Sequence, residues 1–506
     1  MRASLSLPVL GAALTAAQQY AGDVISGSLP TVANAQVNFW RIPNPNGPGH
    51  NDNLTLINYE NLGTNGQRIV PSNIQRAVIV IHGLLRDPWN YQNDAQNALI
   101  VANGNAPYIN RDSVSIVSPY FASGSDKNFG YPWDDSQKPG YGSVSNALVW
   151  SGSKWSAGAD NHYPHNSRHT SSYYVLDQML KYYDDAEKFP NLKQIVLVGH
   201  SMGGQMLQRY AAIGDQLNLT TPVAYWIGNP DSYSWMSTYR PLNIPDCPDY
   251  DVYRDGYTNF TEYPMSYGAD LVAQGRDAIV ANFQSRAINY ARALLDQGDH
   301  SSTCGANTTG ANRNERFFEF IKWWQPTCPN GSGLKCDTVD LINVTHDNGQ
   351  MYNSEAGQSR IFHDNWDGAG GRAYDYGYPR VQAGDDPYPN PALVNTPGFS
   401  NPNVYAGGKT YYGCWTDGPK HLTLDTLLSD AATTTIESCT QGCTDGGYAL
   451  AGLENGSQCY CGNATRNYAA AVVDMSCRTP CSGNDQEYCG GLSRISLFSN
   501  GAPASG

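Results

Sequence analysis

The sequence predicts an α/β domain with a mostly parallel sheet and helices on both faces, followed by a small disulfide-rich module. Two observations support this prediction. Between about residues 36 and 363, short apolar runs alternate with helical patterns, as buried parallel strands and their connecting helices do. Eight of the 12 cysteines lie between Cys414 and Cys489, a density typical of a disulfide scaffold.

Six apolar runs in the first region predict the strands of the sheet. They cover residues 77–81, 114–117, 195–198, 223–227, 290–295 and 341–344. Helical patterns lie at residues 173–188 and 205–213. The long stretch between the strands at 223–227 and 290–295 is interpreted as a cap insertion.

Composition and the N-terminus indicate an exported protein. Arg2 precedes an apolar run from Leu5 to Ala17, which is the pattern of a signal peptide over residues 1–17. No later stretch is long and apolar enough to predict a membrane span. The net charge of −14 argues against nucleic acid as a partner, because phosphate contacts need clustered lysine and arginine. We therefore expect a secreted, extracellular protein.

Cysteines and glycosylation sequons agree with export. The even cysteine count predicts disulfides, which here include the scattered Cys247, Cys304, Cys328 and Cys336. We expect glycans at Asn53, Asn218, Asn259, Asn307, Asn330, Asn455 and Asn463. Asn343 is also a sequon, but a glycan three residues before His346 would crowd the candidate site described below.

The sharpest motif is Gly199-His200-Ser201-Met202-Gly203, which follows an apolar strand and precedes a helix. This context defines a nucleophile elbow, in which small neighbours allow the tight turn that raises the serine above the sheet. The motif predicts Ser201 as nucleophile and an α/β-hydrolase fold for residues 36–363.

An oxyanion hole needs two backbone N–H donors aimed at one point. Met202 follows the nucleophile and supplies one candidate. The loop after the first strand, His82-Gly83-Leu84, supplies the other at Leu84. We interpret His82 as a structural residue that is hydrogen-bonded under this loop.

The serine needs a base and an acid, which in this fold follow it in the order acid, then histidine. His346 directly follows the last predicted strand and is the candidate base. The acid is expected in the loop after the strand at 290–295, where Asp296 and Asp299 both qualify on spacing. Asp231, one strand earlier, is an alternative.

With these residues in hand, the region from about 77 to 362 resembles a family of secreted fungal α/β-hydrolases. The shared segments are His82-Gly83 with Arg86-Asp87 and Tyr91, Ser171-Ser172, Arg209-Tyr210-Ala211, Asn229-Pro230-Asp231-Ser232-Tyr233, Cys304-Gly305-Ala306 and Gly310-Ala311-Asn312-Arg313. In that family a Leu-Leu-Gly-x-x-Asp segment carries the acid, which implies Asp299 here, although Asp296 stands where the family has glycine. A His-Asp-x-x-x-Met segment carries the base and matches His346 to Met351.

Residues 408–500 resemble a WSC domain, joined through a predicted linker at residues 364–407. The matching features include Cys414-Trp415-Thr416-Asp417, Cys459-Tyr460-Cys461-Gly462-Asn463 and Cys489-Gly490-Gly491. The resemblance implies binding to wall glycans. Eight cysteines predict four disulfides among Cys414, Cys439, Cys443, Cys459, Cys461, Cys477, Cys481 and Cys489. The aromatic residues Tyr411, Trp415 and Tyr460 either stack on sugars or form the core of the module.

Together these patterns predict a secreted serine hydrolase of carboxylic esters with the triad Ser201, Asp299 and His346. Its expected partners are an ester substrate and, through the WSC module, cell-wall polysaccharide, with no cofactor or metal. The alternatives are an inactive wall-binding protein, or a lipase, peptidase or thioesterase on the same fold, because fold and triad do not determine the leaving group.

Overall fold

A computed structural model describes most of the two predicted regions. The described residues are 18–21, 29–46, 54–131, 147–164, 169–242, 246–296, 298, 301, 303–324, 337–371, 408–417, 422–466, 469, 471–472, 477, 479–491 and 493–501. They form one nine-stranded sheet, one six-stranded sheet and one two-stranded sheet. The predicted signal peptide at residues 1–17 lies outside the described residues.

The nine-stranded sheet is mostly parallel. Its strands are β1 (Gln18–Ala21), β2 (Ala35–Ile42), β3 (Leu54–Asn61), β4 (Arg76–Ile81), β5 (Val114–Pro119), β6 (Gln194–His200), β7 (Val223–Gly228), β8 (Ala287–Ala293) and β9 (Thr338–Ile342). Their order is β1-β2-β3-β5-β4-β6-β7-β8-β9. Neighbours from β5 to β9 are parallel, and β1, β2 and β3 add an antiparallel edge.

Helices cover both faces of this sheet. They are α1 (Pro88–Asn105), α2 (Ser172–Tyr183), α3 (Met202–Ile213), α4 (Ala269–Ala273), α5 (Arg276–Gln284), α6 (Cys304–Asn307), α7 (Arg313–Trp323), α8 (Asn348–Asn353) and α9 (Glu355–Gln358). Alternate strand residues serve opposite faces. Leu197 belongs to the core under α2 and α3, and Val198 belongs to the core under α1 and α8. The predicted α/β-hydrolase fold is confirmed.

The boundaries differ from the sequence prediction at several places. The sheet already begins at Gln18 rather than near residue 36, because β1 pairs with β2 along its whole length. Strand β8 ends at Ala293 rather than at 295. A turn follows directly, closed by the Asp296 N–H, which donates to the Ala293 carbonyl. Strand β9 ends at Ile342 rather than at 344.

The chain between β7 and β8 corresponds to the predicted cap. We define the cap segment as residues 229–275; in its described part it is mostly irregular, with the short helix α4 at its end. A disulfide from Cys247 to Cys304 joins it to α6. The cap segment therefore lies beside the loops that follow β8.

Aromatic residues before the elbow form core rather than pocket wall. Tyr120, Phe121, Trp150 and Trp155 are fully buried, and Tyr131 is almost so. The Trp155 ring lies 4.5 Å from the imidazole of His82, which places this aromatic layer beneath the first candidate oxyanion loop.

The C-terminal module is a small antiparallel structure with the helix α10 (Ile436–Asp445). Its strands are β10 (Thr410–Thr416), β11 (Thr426–Asp430), β12 (Leu450–Glu454), β13 (Gln458–Gly462), β14 (Ala471–Val472), β15 (Pro480–Cys481), β16 (Asn484–Tyr488) and β17 (Arg494–Ser499). Disulfides join Cys414–Cys477, Cys439–Cys459, Cys443–Cys461 and Cys481–Cys489. Cys328 and Cys336 lie outside the described residues.

One buried ion pair joins the module to the hydrolase domain. The Arg494 guanidinium of β17 contacts both carboxylate oxygens of Glu315 on α7, and both side chains are almost completely buried. Glu315 also accepts a hydrogen bond from the Ala311 N–H. The module is thus attached at the N-terminal end of α7.

The sequons differ in accessibility. Asn218, Asn259, Asn455 and Asn463 are exposed, as is Asn343. The Asn307 side chain exchanges two hydrogen bonds with the backbone of Ser301, so a glycan there would have to replace them. Asn53 and Asn330 lie outside the described residues. None of the helices in the described ranges has the length and apolar character of a membrane span.

Candidate active site

Ser201 occupies the turn between β6 and α3. Its backbone is left-handed, with φ 58° and ψ −122°, a conformation that costs free energy and is found at functional sites. The glycines of the motif are required by close contacts. A Cβ on Gly199 would lie 2.4 Å from the Gly203 carbonyl oxygen, and one on Gly203 would lie 2.4 Å from the Ile81 carbonyl oxygen. The turn therefore has the geometry of a nucleophile elbow.

His346 lies directly over the serine, in the loop that follows β9. Its Nε2 is 3.0 Å from Ser201 Oγ, and its Nδ1 is 2.6 Å from Asp296 Oδ2. Asp296 follows the turn that ends β8. The three side chains form a continuous hydrogen-bonded chain with the geometry of a Ser-His-Asp triad.

The acid in this arrangement differs from the one that the family pattern favoured. Asp299 lies outside the described residues, whereas the Nδ1 of His346 already binds Asp296. Asp231, the other alternative, forms ion pairs with Arg313 and Arg316 at 3.2 and 3.0 Å. Within the described residues Asp296 is therefore the carboxylate that contacts His346, and the acid role of Asp299 stays a prediction.

Two arginines hold the Asp296 carboxylate. Arg313 Nη1 lies 2.9 Å from Oδ1, and the buried Arg292 Nη1 lies 3.4 Å from Oδ2. Burial alone would raise the pKa of Asp296, but the hydrogen bond with His346 and these positive charges outweigh it and hold the pKa well below its usual range. Asp296 is therefore ionised, as the partner of an imidazolium must be.

The two residues with candidate oxyanion donors, Leu84 and Met202, line the same cavity as Ser201. Met202 is the first residue of α3, so its N–H has no partner within the helix. Gly83 approaches so closely that a Cβ there would lie 3.6 Å from Ser201 Cβ, and Leu84 follows it at the edge of the pocket. In the described part of the chain neither the Leu84 nor the Met202 N–H donates to a protein acceptor. Both are available to a ligand oxygen.

Two buried histidines support the site but do not belong to the hydrogen-bonded chain of Ser201, His346 and Asp296, which we call the relay. His82 Nε2 accepts from the Phe121 N–H, and Nδ1 lies 3.0 Å from the Gly83 carbonyl. Burial lowers the pKa of His82 to about 3, so it is a neutral brace for the oxyanion loop. His200 packs against His346 with ring centroids 4.6 Å apart, and burial followed by the nearby His346 charge lowers its pKa well below the usual value.

A polar cavity of about 310 Å³ opens beside Ser201. Two of its lining residues are apolar, Leu84 and Met202, and the others carry charges, hydroxyls or an amide. They are Ser153, Ser201, Gln205, Arg209, Asp231, Ser232, Arg254, Asp255, Ser301, Thr303 and Arg313. Arg254 and Asp255 belong to the cap segment, which thereby forms one wall of the site.

Arg292 and Arg313 were not identified as site residues from the sequence. Arg292 does leave a signal, since it is the one charged residue of the buried strand β8, and a charged side chain in a buried strand needs a partner. Arg313 leaves none, because its contact with Asp296 depends on how α7 packs after β8.

Comparison with known proteins identifies a family for the C-terminal module. Residues 411–491 match the family model of the WSC domain. A WSC domain-containing protein of Arthroderma benhamiae is 42% identical over 95 residues, which cover 19% of this chain and 10% of that protein. A xylosyltransferase of Drosophila melanogaster is 32% identical over 90 residues, covering 18% and 10%. The matched stretch thus spans about a tenth of the length of these relatives.

Solved structures that resemble part of the chain include two hydrolases. A poly(3-hydroxybutyrate) depolymerase of Bordetella parapertussis is 17% identical with a TM-score of 0.39, covering 67% of this chain and 91% of its own. A siderophore hydrolase of Aspergillus nidulans is 11% identical with a TM-score of 0.32, covering 65% and 93%.

The sheet order and the elbow place residues 18–363 in the class of α/β-hydrolase folds. The C-terminal module is a WSC domain.

Proposed function

We propose that the protein is a secreted serine hydrolase that cleaves carboxylic esters and is held near glycans by its WSC domain. One observation carries the catalytic half of this proposal. Ser201 Oγ, both imidazole nitrogens of His346 and the Asp296 carboxylate form one relay, with separations of 3.0 and 2.6 Å, at the mouth of a cavity.

In the proposed reaction Ser201 Oγ attacks the ester carbonyl while His346 Nε2 takes the hydroxyl proton. The carbonyl oxygen becomes an oxyanion, which accepts hydrogen bonds from the N–H groups of Leu84 and Met202. Asp296 keeps the proton of His346 on Nδ1 and stabilises the imidazolium. The tetrahedral intermediate then collapses, His346 gives its proton to the leaving alkoxide, and an acyl-serine remains.

Water then hydrolyses the acyl-serine by the same two kinds of step, with water as the nucleophile and Ser201 as the leaving group. His346 removes a proton from water as the water oxygen attacks the acyl carbonyl. When the second tetrahedral intermediate collapses, the bond to Ser201 Oγ breaks, His346 returns the proton to Oγ, and the carboxylic acid is released. Arg292 and Arg313 hold Asp296 in position before substrate binds. The groups that stabilise the His346 imidazolium are therefore already in place when the reaction begins.

The glycan-binding half of the proposal is supported by two aromatic rings on β10. Tyr412 is exposed and stacks with the half-buried Trp415, with ring centroids 6.0 Å apart and an angle of 24° between the planes. Flat exposed rings can bind the apolar faces of sugars. Tyr460 is buried, and Tyr411 packs on Phe498 in the core. Tyr412 and Trp415 are therefore the platform that we assign to the glycan.

Labelling with a fluorophosphonate probe tests the catalytic half. The secreted protein should be labelled within minutes, and mass spectrometry should locate the adduct on Ser201. Heat-denatured protein should not react, because the relay that activates the hydroxyl is lost. Folded protein that stays unlabelled would favour the alternative of an inactive wall-binding protein.

Retention on insoluble cell-wall polysaccharide tests the other half. Binding of the full chain should fall about fivefold to tenfold in Tyr412→Ala, since a stacked ring contributes on the order of 1 kcal/mol. Tyr239→Ala is the matched control, because Tyr239 is also an exposed tyrosine but lies in the cap segment. Equal retention of wild type and Tyr412→Ala would reject the assigned platform.

A further inference from the structure

Two arginines line the cavity beside Ser201 without a carboxylate partner in the described part of the chain, namely Arg209 and Arg254. We propose that they bind a carboxylate of the substrate, so that the preferred ester is anionic. This inference rests on the proposed ester hydrolysis and specifies its substrate class.

Arg209 is a buried cation without a counter-ion among the described residues. It is 2% exposed, and its hydrogen bonds all reach neutral oxygens at 3.3–3.4 Å, long for such bonds. One of these acceptors, the Gln205 amide oxygen, is better satisfied when it is turned towards the N–H groups of Asp231 and Ser232, each 3.2 Å away. In that orientation Arg209 would no longer donate a hydrogen bond to Gln205.

Most other buried arginines of this protein are neutralised. Arg292, Arg316, Arg360 and Arg494 each form an ion pair with a carboxylate. Arg76, which is also buried, donates instead to the backbone carbonyls of Ile361 and Asp364. A buried charge without a carboxylate partner is unfavourable. Arg209 has no carboxylate among its hydrogen-bond acceptors and, unlike Arg76, it lines the candidate active site.

Arg254 adds a second cation at the same cavity. It is half-buried in the cap segment, and within the described residues its guanidinium forms no ion pair and no hydrogen bond. Neither carboxylate that lines the cavity is a counter-ion of Arg209 or Arg254. Asp231 is bound by Arg313 and Arg316, and in the described part Asp255 pairs with neither Arg209 nor Arg254. The cavity thus presents two guanidinium groups to a ligand.

The lining of the cavity identifies the ligand chemistry. Guanidinium groups bind carboxylates through charge-assisted, often bidentate, hydrogen bonds. The scarcity of apolar lining residues disfavours a long alkyl chain, which would have to desolvate these polar groups. The structure thus favours a short, polar ester with a carboxylate on either its acyl or its alcohol part.

Two matched pairs of substrates show whether the recognised carboxylate lies on the acyl part or on the alcohol part of the ester. Mono-p-nitrophenyl glutarate and p-nitrophenyl butyrate differ by a carboxylate on the acyl part. The butyrate esters of 3-hydroxybenzoate and 3-hydroxybenzamide differ by a carboxylate on the alcohol part. We expect wild type to prefer the anionic member of one pair at least about tenfold in kcat/KM, as one charge-assisted hydrogen bond allows.

Substitution of Arg254 tests whether this preference depends on the guanidinium. Arg254→Gln should reduce the anionic-to-neutral ratio of kcat/KM about tenfold, and Arg254→Lys should keep much of it. Arg41→Gln, an exposed arginine on β2, should leave the ratio unchanged. A wild type that prefers the neutral member of both pairs, or a ratio that Arg254→Gln does not alter, overturns the proposal.

Equilibrium binding of glutarate keeps this test independent of turnover. Glutarate should bind the folded Ser201→Ala protein, and adding Arg254→Gln should weaken its Kd about tenfold. Absence of glutarate binding together with hydrolysis of neutral esters alone would reject the anion site but retain the esterase. Binding of glutarate by a protein that fluorophosphonate does not label would reject the esterase but retain the anion site.

Discussion

Asp296→Asn is expected to lower kcat by about 10⁴-fold on any ester that the protein hydrolyses. The amide keeps the shape of the carboxylate but can no longer stabilise the His346 imidazolium, and it favours the wrong imidazole tautomer. The contact of 2.6 Å between Asp296 Oδ2 and His346 Nδ1 makes this residue the direct partner of the base. Steady-state kinetics of the purified variant measure the effect.

Matched substitutions at the two other candidate acids show whether the loss is specific. Asp299→Asn and Asp231→Asn should each cost far less than Asp296→Asn. Thermal denaturation must accompany the kinetics, because Asp296→Asn also removes the partner of the buried Arg292. A folded Asp296→Asn protein with near wild-type kcat, beside an inactive Asp299→Asn protein, would return the acid to Asp299.

Ser201→Ala and His346→Ala should each reduce kcat by about 10⁶-fold, and the double variant should be no slower than either. The reason is that the two side chains act as one unit across their 3.0 Å contact, so the loss of either removes the nucleophilic route entirely. A small residual rate should survive in all three proteins, because the N–H groups of Leu84 and Met202 remain.

Single-turnover measurements with an activated aryl ester are sensitive enough for this comparison. His82→Gln in the oxyanion loop is the matched control, because it also replaces an imidazole close to the serine. It should lower kcat far less than His346→Ala, since His82 braces the loop through the Phe121 N–H and has no part in the relay. Losses in Ser201→Ala and His346→Ala that multiply in the double variant would show that the two side chains act separately.

The parallel part of the sheet and the elbow could be predicted because each rests on a local pattern, whereas the antiparallel edge strands β1, β2 and β3 were not predicted. Apolar runs marked β4 to β7 within a few residues, and the glycines around Ser201 fit a turn that excludes any Cβ. His346 was predicted from its position after the last strand, and the structure places it over Ser201.

The choice of acid could not be made from local pattern. Asp296 and Asp299 are three residues apart, and the family pattern favoured the second. What distinguishes Asp296 is the turn that its own N–H closes onto Ala293, together with Arg313 from a later helix. Neither feature has a sequence signal at the aspartate.

The C-terminal module shows the same division. Its cysteine density predicted a disulfide scaffold, and the family match at residues 411–491 confirms the WSC domain. Eight cysteines allow about 105 pairings, so the connectivity needed the structure. The aromatic residues also needed it, since Tyr460 is buried whereas Tyr412, which the sequence did not single out, is exposed.

The ion pair between Arg494 and Glu315 bears on how such an enzyme would move over a surface. Glu315 lies on α7, two residues from the Arg313 that holds Asp296. If the protein has the proposed function, a module fixed there would hold Ser201 at a set distance from the bound glycan rather than at one determined by tether length. Each bound molecule would then hydrolyse only the esters close to its binding point on the wall. Hydrolysis of esters farther away would require release and rebinding.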